Sequence, residues 1–437
     1  MIKFNKISFQ NDIPDTWSRI PLYELRNKKD RYGFTGGPFG SDLKSEHYTQ
    51  SGVKILQLQN IGEGKFIDKG IVYTSEQKAN ELISCNIYPG EIILAKMAPV
   101  ARCCKVPSTD ERYVMCSDGI RLSVDTHRFD NEFVFQALNS KYFRDEAESK
   151  STGTTRARIG LNELKQICLS VPNSVPEQQK IAEILSTVDE KIEVIDQQIS
   201  ETQELKKGLM QSLLTKGIGH TEFKESPLGM IPESWEVVKL NKIGSLSGGN
   251  AFKATAFNTE KIGLQVIRMS NIQPYGLALK KNPVFINSIS DKESKFLLKK
   301  GDLLITLTGT IGKTDYGNLA YIEESNSMVL NQRVGRFEYN EKSFGKFLYY
   351  VFSSEYFRNN FFEQGKGGTG NQANVGKEGF ESIQIVFPSK IEQKKIAEIL
   401  NSVDDKLEVL SEKKTYYQEL KQGLMQQLLT GKIRVKI

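Results

Sequence analysis

The chain lacks any apolar run of eighteen or more residues, so the sequence predicts no transmembrane helix. Its opening residues, MIKFNKISFQND, are too polar for a secretory signal. The five cysteines are odd in number and have no CxxC spacing, which favours reduced thiols, and the three histidines are far apart. We therefore expect a cytoplasmic protein that contacts no membrane and binds no metal.

Recognisable catalytic motifs are missing as well. The sequence has no Rossmann glycine fingerprint, no nucleophile elbow and no HExxH zinc motif. The segment GTIGKT from Gly309 resembles a phosphate-binding loop, but that motif needs a glycine where Leu307 stands. These absences favour a non-catalytic protein. An enzyme with its own nuclease or methyltransferase activity is an alternative for which two half-chains leave little room.

What the chain does have is the composition of an ordinary folded protein. Its 437 residues exceed the usual size of one hydrophobic core, so two or more units are expected. Apolar residues make up 38% and charged residues 26%, which excludes a disordered chain. The net charge of +6 permits an anionic partner such as nucleic acid without requiring one.

The chain contains an internal repeat with an offset of 215 residues, so that Glu392 in the second copy corresponds to Glu177 in the first. The segment EQQKIAEIL returns as EQKKIAEIL, and about 24 of the 39 positions from Glu177 are identical in the second copy. Elsewhere only short anchors recur, such as IPDTW from Ile13 and IPESW from Ile231. Two copies of one scaffold with different loops suit a protein that grips two different targets at a fixed separation. A duplication whose halves merely drifted is the alternative.

The closely repeated segments have the apolar pattern of long helices. Spacings of three and four residues predict the a and d positions of a coiled coil. A helix from Glu177 to about Leu214 would be roughly 57 Å long, so two such helices paired antiparallel can act as a spacer. Helices that each pack on their own domain are the alternative. The predicted seam residues are Ile181, Leu185, Val188, Ile192, Ile195, Ile199, Ile396, Leu400, Val403, Leu407 and Leu410.

Both helices also have predicted start signals and internal glycines. The patterns Ser174-x-x-Glu177 and Ser389-x-x-Glu392 are capping boxes, in which the hydroxyl and the carboxylate satisfy backbone donors of the first turn. A glycine inside each helix, at positions 208 and 423, costs roughly 1 kcal/mol against alanine and is interpreted as a site of close helix packing.

The segments before each long helix, from about Trp17 to Val171 and from Trp235 to Phe387, are predicted to contain short β-strands separated by glycines. One helix is expected in each, near Asn131–Glu148 and near Glu341–Gln364. Their paired aromatics, YF at 142–143 and at 356–357, are predicted to be core residues.

Candidate contacts to DNA concentrate in loops that are glycine-rich, basic or amide-bearing. Arginine can contact guanine through two hydrogen bonds, asparagine or glutamine can do so with adenine, and glycine lets backbone amides approach phosphate. The loops are Gly36–Lys44, Lys96–Lys105, Ser151–Arg158, Thr308–Lys313 and Gly365–Asn374. The candidate residues are Lys44, Lys96, Arg102, Lys105, Thr154, Thr155, Arg156, Arg158, Lys253, Arg268, Thr308, Thr310, Lys313, Lys366, Thr369, Asn371, Gln372 and Asn374.

Taken together, the two IPxxW openings, the GPFGSD segment from Gly37 and the helices that begin EQxKIAEIL and end LKxGLMQxLLT resemble the specificity subunits of type I restriction-modification systems. The resemblance covers essentially the whole chain. It implies an α/β protein with two similar target-recognition domains, separated by two long helices that form an antiparallel coiled coil, in an internal pseudo-twofold repeat. The expected division is 1–173 and 217–388 for the recognition domains, and 174–216 and 389–437 for the helices.

The resemblance also implies a function and partners. Each recognition domain would read one half of a bipartite site in double-stranded DNA, while the helices set the spacing and dock two modification subunits. Those subunits methylate adenine with S-adenosylmethionine, and restriction subunits use ATP and Mg. The chain itself would bind no cofactor, in keeping with its lack of an NPPY or DPPY tetrapeptide. A protein-binding coiled-coil scaffold, or an orphan DNA-binding homologue without active partners, is the alternative.

Overall fold

The computed structural model describes residues 13–437 except 154–155, 275, 325–326 and 368–371. The chain divides into two compact units. The first comprises the chain to Asp196 together with Glu412–Ile437, and the second is Gln197–Ser411. Both are mixed α/β, as expected. No helix in the described ranges is long and apolar enough to cross a membrane.

Among its described residues, the first unit contains eleven named strands, four complete helices and parts of the two long helices. Its strands are β1 (Trp17–Pro21), β2 (Phe34–Gly36), β3 (Tyr48–Thr49), β4 (Val53–Leu56), β5 (Val72–Thr74), β6 (Asn86–Ile87), β7 (Ile92–Ala95), β8 (Cys103–Lys105), β9 (Tyr113–Met115), β10 (Gly119–Leu122) and β11 (Cys168–Pro172). Its helices are α1 (Glu76–Glu81), α2 (Asn131–Leu138), α3 (Lys141–Ser149), α4 (Leu161–Lys165) and the part of α5 (Val175–Lys216) that ends at Asp196.

Two sheets pack together in this unit. One is antiparallel with the order β2-β10-β7-β8, and the other has the order β3-β5-β4-β9-β6 with β4 parallel to β9. Strand β7 is apolar on both faces: Ile92 and Leu94 pack towards α2 and α3, whereas Ile93 and Ala95 pack towards β4 and β9. Burial on both faces explains why this strand reads as a continuous apolar run.

The second unit repeats the mixture of strands and helices. Its strands are β12 (Phe223–Ser226), β13 (Gly229–Pro232), β14 (Glu236–Lys239), β15 (Gly244–Gly248), β16 (Phe257–Asn258), β17 (Leu264–Ile267), β18 (Ile272–Gln273), β19 (Gly276–Leu277), β20 (Phe285–Ile286), β21 (Leu303–Thr306), β22 (Thr308–Thr310), β23 (Leu319–Tyr321), β24 (Met328–Leu330), β25 (Val334–Tyr339), β26 (Gly365–Gly367), β27 (Gln372–Val375) and β28 (Gln384–Phe387). Its helices are α6 (Gly345–Ser353), α7 (Glu355–Glu363), α8 (Lys377–Ser382) and α9 (Lys390–Leu428), the last part of which belongs to the first unit.

Its two main sheets have the orders β15-β25-β21-β23 and β16-β20-β17-β24, with β17 parallel to β24. Strand β21 is again buried on both faces. Leu303 and Ile305 pack towards α6 and α7, whereas Leu304 packs towards β17 and β24. In each unit an outer pair, β1 with β11 and β14 with β28, joins the beginning of the β-rich region to its end.

The single helix expected near 131–148 and near 341–364 is wrong, because each span contains two helices, α2 with α3 and α6 with α7. A serine at the junction, Ser140 or Ser354, caps the second helix by accepting a hydrogen bond from the backbone N–H of Phe143 or Phe357, at 3.3 Å in both cases. The two phenylalanines are buried as predicted, whereas Tyr356 is exposed.

Both long helices begin where the sequence predicts, but the carboxylate half of each predicted capping box is wrong. Glu177 accepts hydrogen bonds from the indole of Trp17 at 3.3 Å and from Arg434 at 2.5 and 2.8 Å. Glu392 accepts from Trp235 at 2.9 Å and bonds to His220 at 2.7 Å. These carboxylates tie the helix start to the β-rich region and to the segment after a long helix.

In both units segments of α5 and α9 are in contact, and in the first unit they run in opposite directions. In the first unit, Asp189 pairs with Lys421 at 2.6 Å and Asp196 with Lys414 at 2.5 Å. Moving along α5 towards its end therefore means moving along α9 towards its beginning. In the second unit, Lys206 of α5 pairs with an α9 carboxylate, that of Asp404, at 2.6 Å.

The predicted seam residues are buried, apart from three that are half-buried: Ile192, Ile199 and Leu407. Ile181 and Leu185 share their apolar cluster with both the β-rich region and Leu428 of α9. The beginning of the stripe therefore serves the core of its own unit as well as the helix contact. The interpretation of the internal glycines as packing sites is wrong, since a Cβ atom at Gly208 or Gly423 would meet nothing within 4 Å.

Two of these aspartates, Asp189 and Asp404, also bind the neighbouring β-rich region. The amide of Gln136 on α2 donates to Asp189 at 2.9 Å, and the hydroxyl of Tyr350 on α6 donates to Asp404 at 2.8 Å. Both donors are buried. One carboxylate thus joins three elements in each unit.

Candidate nucleic-acid interface

In the second unit, two predicted DNA-binding loops come together as a three-stranded sheet. Strand β27 lies between β22 and β26, all antiparallel, so that Asn374 pairs with Thr308 on one side and with Lys366 on the other. Thr310 pairs with Gln372 two residues further along. Since directly opposed residues and residues two apart share a face, these positions lie on one side of the sheet.

The opposite side of this small sheet is buried. Ala373 and Val375 pack into the core cluster, whereas Gln372 and Asn374 are exposed. Two amide side chains are therefore presented from strands that the core holds in place. Amides in such positions have the donors and acceptors needed to read adenine.

The two threonines of β22 are partly occupied by contacts within the protein. The Thr308 hydroxyl lies 3.3 Å from the sulfur of Met269. The backbone N–H and hydroxyl of Thr310 donate to Asp315 at 2.8 and 2.7 Å, and these bonds lower the pKa of that carboxyl. The Asp315 carboxylate thus stabilises the end of β22.

The first unit assembles the same kind of structure from bridges rather than full strands. Arg158 forms antiparallel bridges with Met97 on one side and with Thr152 on the other. Arg158 therefore holds the central position that Asn374 holds in the second unit. Its side chain is half-exposed and pairs with Asp118 at 2.9 Å. Because an exposed ion pair is weak, the guanidinium can exchange this partner for a phosphate or a guanine.

A short turn, Cys116–Gly119, organises this region. The backbone N–H of Gly37 donates to the Gly119 carbonyl at 2.9 Å, and a Cβ atom at Gly37 would lie 1.8 Å from the Cys116 carbonyl oxygen. The same turn holds Arg158 through Asp118. Three segments that are distant in sequence therefore meet here. The Ser-Asp-Gly run at 117–119 signals a turn, but no local pattern shows what it would hold.

Three predicted cations are engaged by the protein itself. The Lys96 ammonium donates to the Ser117 carbonyl at 2.7 Å, and burial lowers its pKa. Lys105 pairs with Glu132. Burial likewise lowers the pKa of Arg102, whose guanidinium binds three backbone carbonyls. The acceptors of Arg102 are the carbonyl oxygens of Leu58, Ile61 and Ala98, at 2.7, 2.5 and 3.0 Å.

The remaining candidates are dispersed. Arg268 donates to the Asn282 carbonyl at 2.6 Å, and its Nε is buried without a hydrogen-bond partner among the described residues. Four are exposed: Lys44, Arg156, Lys253 and Lys313. Four lie outside the described residues: Thr154, Thr155, Thr369 and Asn371. For Lys366 the structure describes only the backbone pairing. All the candidates stay predictions as DNA contacts.

Comparison with known proteins agrees with the geometry. Residues 45–204 and 232–421 match the family model described as the type I restriction modification DNA specificity domain. The chain is 33% identical to the type I restriction enzyme MjaVIII specificity subunit of Methanocaldococcus jannaschii over 328 residues, which cover 74% of this chain and 75% of that one. It is 26% identical to the putative MjaX specificity subunit of the same organism, over 97% of this chain and 95% of that one.

Solved structures show the same fold. The S subunit of a type I restriction-modification system from M. genitalium aligns with a TM-score of 0.60 at 16% identity, covering 97% of this chain and 98% of that one. A chain from a structural study of type I R-M complex assembly and conformational transition aligns with a TM-score of 0.56 at 13% identity, covering 97% and 100%. The matched family regions span most of the sequence, and this chain therefore belongs to the type I restriction-modification DNA specificity family.

Proposed function

We propose that this chain is the DNA-specificity subunit of a type I restriction-modification complex, and that each unit reads one half of a bipartite DNA site. The observation that carries the proposal is the matched pair of small antiparallel structures. Each is built from the segment after a central strand and the segment before a short helix, yet the central residue is Arg158 in one and Asn374 in the other. One scaffold with unlike side chains suits the reading of two unlike sequences.

The internal pseudo-twofold repeat and the antiparallel coiled coil belong to the same proposal. Asp189 and Asp404 are related by the 215-residue offset of the sequence repeat, and so are Lys206 and Lys421. The ion pair in the first unit is thus the ion pair in the second unit with the two helices exchanged. Matching sheet orders in the two units support the repeat. In the proposed complex the paired helices set the distance between the half-sites.

Catalysis is assigned to partners. In this proposal the helices dock two modification subunits, which methylate adenine with S-adenosylmethionine, and restriction subunits join with ATP and Mg. The chain itself binds no cofactor and performs no chemistry. Because its target is DNA, we place its activity in the cytoplasm. The specificity-subunit names of its relatives support this division of labour.

Genome-wide mapping of adenine methylation tests the proposal directly. Cells expressing this chain with its cognate modification subunit should gain methylation at one split motif, and cells lacking the chain should not. If an assembled complex yields no new motif, the DNA-specificity role is wrong and a protein-binding scaffold becomes the better explanation.

Domain replacement then tests the modular reading. Exchanging Trp235–Phe387 for the equivalent region of a relative should change one half of the motif and leave the other intact. Changes in both halves would contradict independent recognition by the two units.

Insertion in the first long helix tests the spacer role. Adding whole helical turns within Ile192–Thr202 should lengthen the gap between the half-sites without altering either of them. A complex that remains active with an unchanged gap would contradict it.

A further inference from the structure

The large apolar side chain with the greatest exposure in the described part of the chain is Phe39, at 82%. It stands in the GPFGSD segment of the first unit. Removing an apolar ring from water is favourable, and aromatic side chains contribute much of the energy of interfaces, so this ring is available for contact with another molecule. The aromatic was not among the candidate residues that the sequence supplied, because exposure is not visible in sequence.

The loop that carries Phe39 is anchored on one side and closed by a turn on the other. On one side, Gly37 packs against the Cys116 carbonyl and donates to Gly119. On the other, the backbone N–H of Asp42 donates to the Phe39 carbonyl at 2.9 Å, which closes a tight turn. The ring therefore projects from a turn that begins two residues after an anchored glycine.

The surroundings of the loop point to DNA as the occupant. The turn at Cys116–Gly119 that anchors it also holds Arg158, the central residue of the candidate interface in this unit, through Asp118. An aromatic ring and an exchangeable guanidinium thus share one anchor. In the second unit the phenylalanine of the GGNAF segment, Phe252, is instead half-buried against an apolar cluster that includes Val266.

We propose that Phe39 inserts as an apolar wedge between two base pairs of the half-site read by the first unit. The inference rests on the proposed DNA-specificity function and goes beyond it. An apolar side chain inserted at a base step unstacks the step partially and kinks the duplex. Since pyrimidine–purine steps deform most easily, the first half-site should contain such a step at the contact point, selected by deformability rather than by hydrogen bonds.

The test uses the chain assembled with its modification subunits and a duplex carrying the mapped site. 2-Aminopurine, placed in turn at each step of both half-sites, reports unstacking by a rise in fluorescence. Methyltransferase subunits flip their target adenine out of the stack, so a rise is expected at the target adenine of each half-site. The wedge predicts one further rise in the wild-type complex, at a separate step of the first half-site. Phe39→Ala should abolish that rise and weaken specific binding by roughly tenfold to a hundredfold, whereas Phe39→Leu should retain part of both. Met230→Ala, which truncates another exposed apolar residue in the second unit, should change neither.

The outcomes separate the inference from the function on which it rests. If the wild-type complex binds a split site and Phe39→Ala preserves both affinity and the further fluorescence rise, the wedge is refuted while the function stands. If Phe39→Ala instead prevents assembly with the modification subunits, the residue is a protein contact and the wedge is likewise refuted. If the wild-type complex recognises no split site, the proposed function fails.

Discussion

The hydrogen bond between Tyr350 and Asp404 should contribute measurably to the stability of the second unit. The Tyr350 side chain is fully buried on α6, and its hydroxyl donates at 2.8 Å to a carboxylate that also receives Lys206 at 2.6 Å. Burial raises the pKa of Tyr350, so the hydroxyl remains a proton donor throughout the physiological range. Tyr350→Phe removes this donor and keeps the ring.

The size of the effect follows from the state of the acceptor. A hydrogen bond to a charged group contributes about 1.5–3 kcal/mol when both partners are dry. The Asp404 side chain is 30% exposed, so water can replace part of the lost bond. We therefore expect a loss of about 1–2 kcal/mol in the free energy of unfolding. For a unit of this size, that loss corresponds to a fall in Tm of roughly 2–8 °C.

Differential scanning calorimetry of the full chain measures the change, and the adjacent tyrosine provides a matched control. Tyr349 lies on the same helix, and its hydroxyl makes no hydrogen bond within the described ranges. Tyr349→Phe should alter stability by less than about 0.5 kcal/mol. If the two variants unfold at the same temperature, or if Tyr350→Phe unfolds like the wild type, the reasoning from the buried donor is wrong.

Three further outcomes are expected. Gly37→Ala should lower the free energy of unfolding by about 1–3 kcal/mol in a denaturant titration, because its Cβ would lie 1.8 Å from a carbonyl oxygen. The control Gly40→Ala, in the same loop, meets nothing within 4 Å and should leave the stability unchanged. Equal denaturation midpoints for the two variants would contradict the packing. Asp189→Lys alone should lower the Tm, and Lys421→Asp added to it should restore only the ion-pair part of the loss, at most about 1 kcal/mol at its exposure. The rest should persist, because a lysine at position 189 cannot accept the hydrogen bond of the buried Gln136 amide. No recovery at all would mean that the pair is not coupled. Asn374→Ala should lower the discrimination between bases at one base pair of the second half-site by about tenfold to a hundredfold, as measured by methylation of variant sites. A loss of methylation spread evenly over unrelated sequences would indicate a phosphate contact instead.

Part of the candidate interface could be predicted from sequence because its loops have a distinctive composition. Glycine, amides and positive charge predict the Thr308–Lys313 and Gly365–Asn374 segments as DNA-contacting loops, and the structure brings strands from both together as one small sheet. Composition could not separate presented side chains from engaged ones. Arg102 and Arg158 look alike in sequence, yet one binds three backbone carbonyls and the other is half-exposed beside a single carboxylate.

The corrections have a common physical origin. Ser389-x-x-Glu392 satisfies the local capping pattern, but Trp235 and His220 offer the carboxylate stronger partners from distant parts of the chain. Gly423 has the local cost of a helical glycine, which calls for a compensating neighbour, and in the described structure that neighbour is absent. In both cases the local sequence pattern is present, but the contacts of the residue depend on distant parts of the chain that the pattern does not include.

The sequence by itself determined the duplication, the two long helices with their starting points, and the β-rich character of the remaining segments, because these features depend on periodicity and on near neighbours along the chain. The tertiary structure alone decided which aspartates join a long helix to a β-rich region and which predicted DNA-binding cations are paired within the protein. It also decided that Phe39 is exposed to solvent. Those outcomes depend on which distant groups meet in space. Sequence patterns do not show these contacts, because the burial of a carboxylate or the exposure of a ring depends on residues that lie far away along the chain.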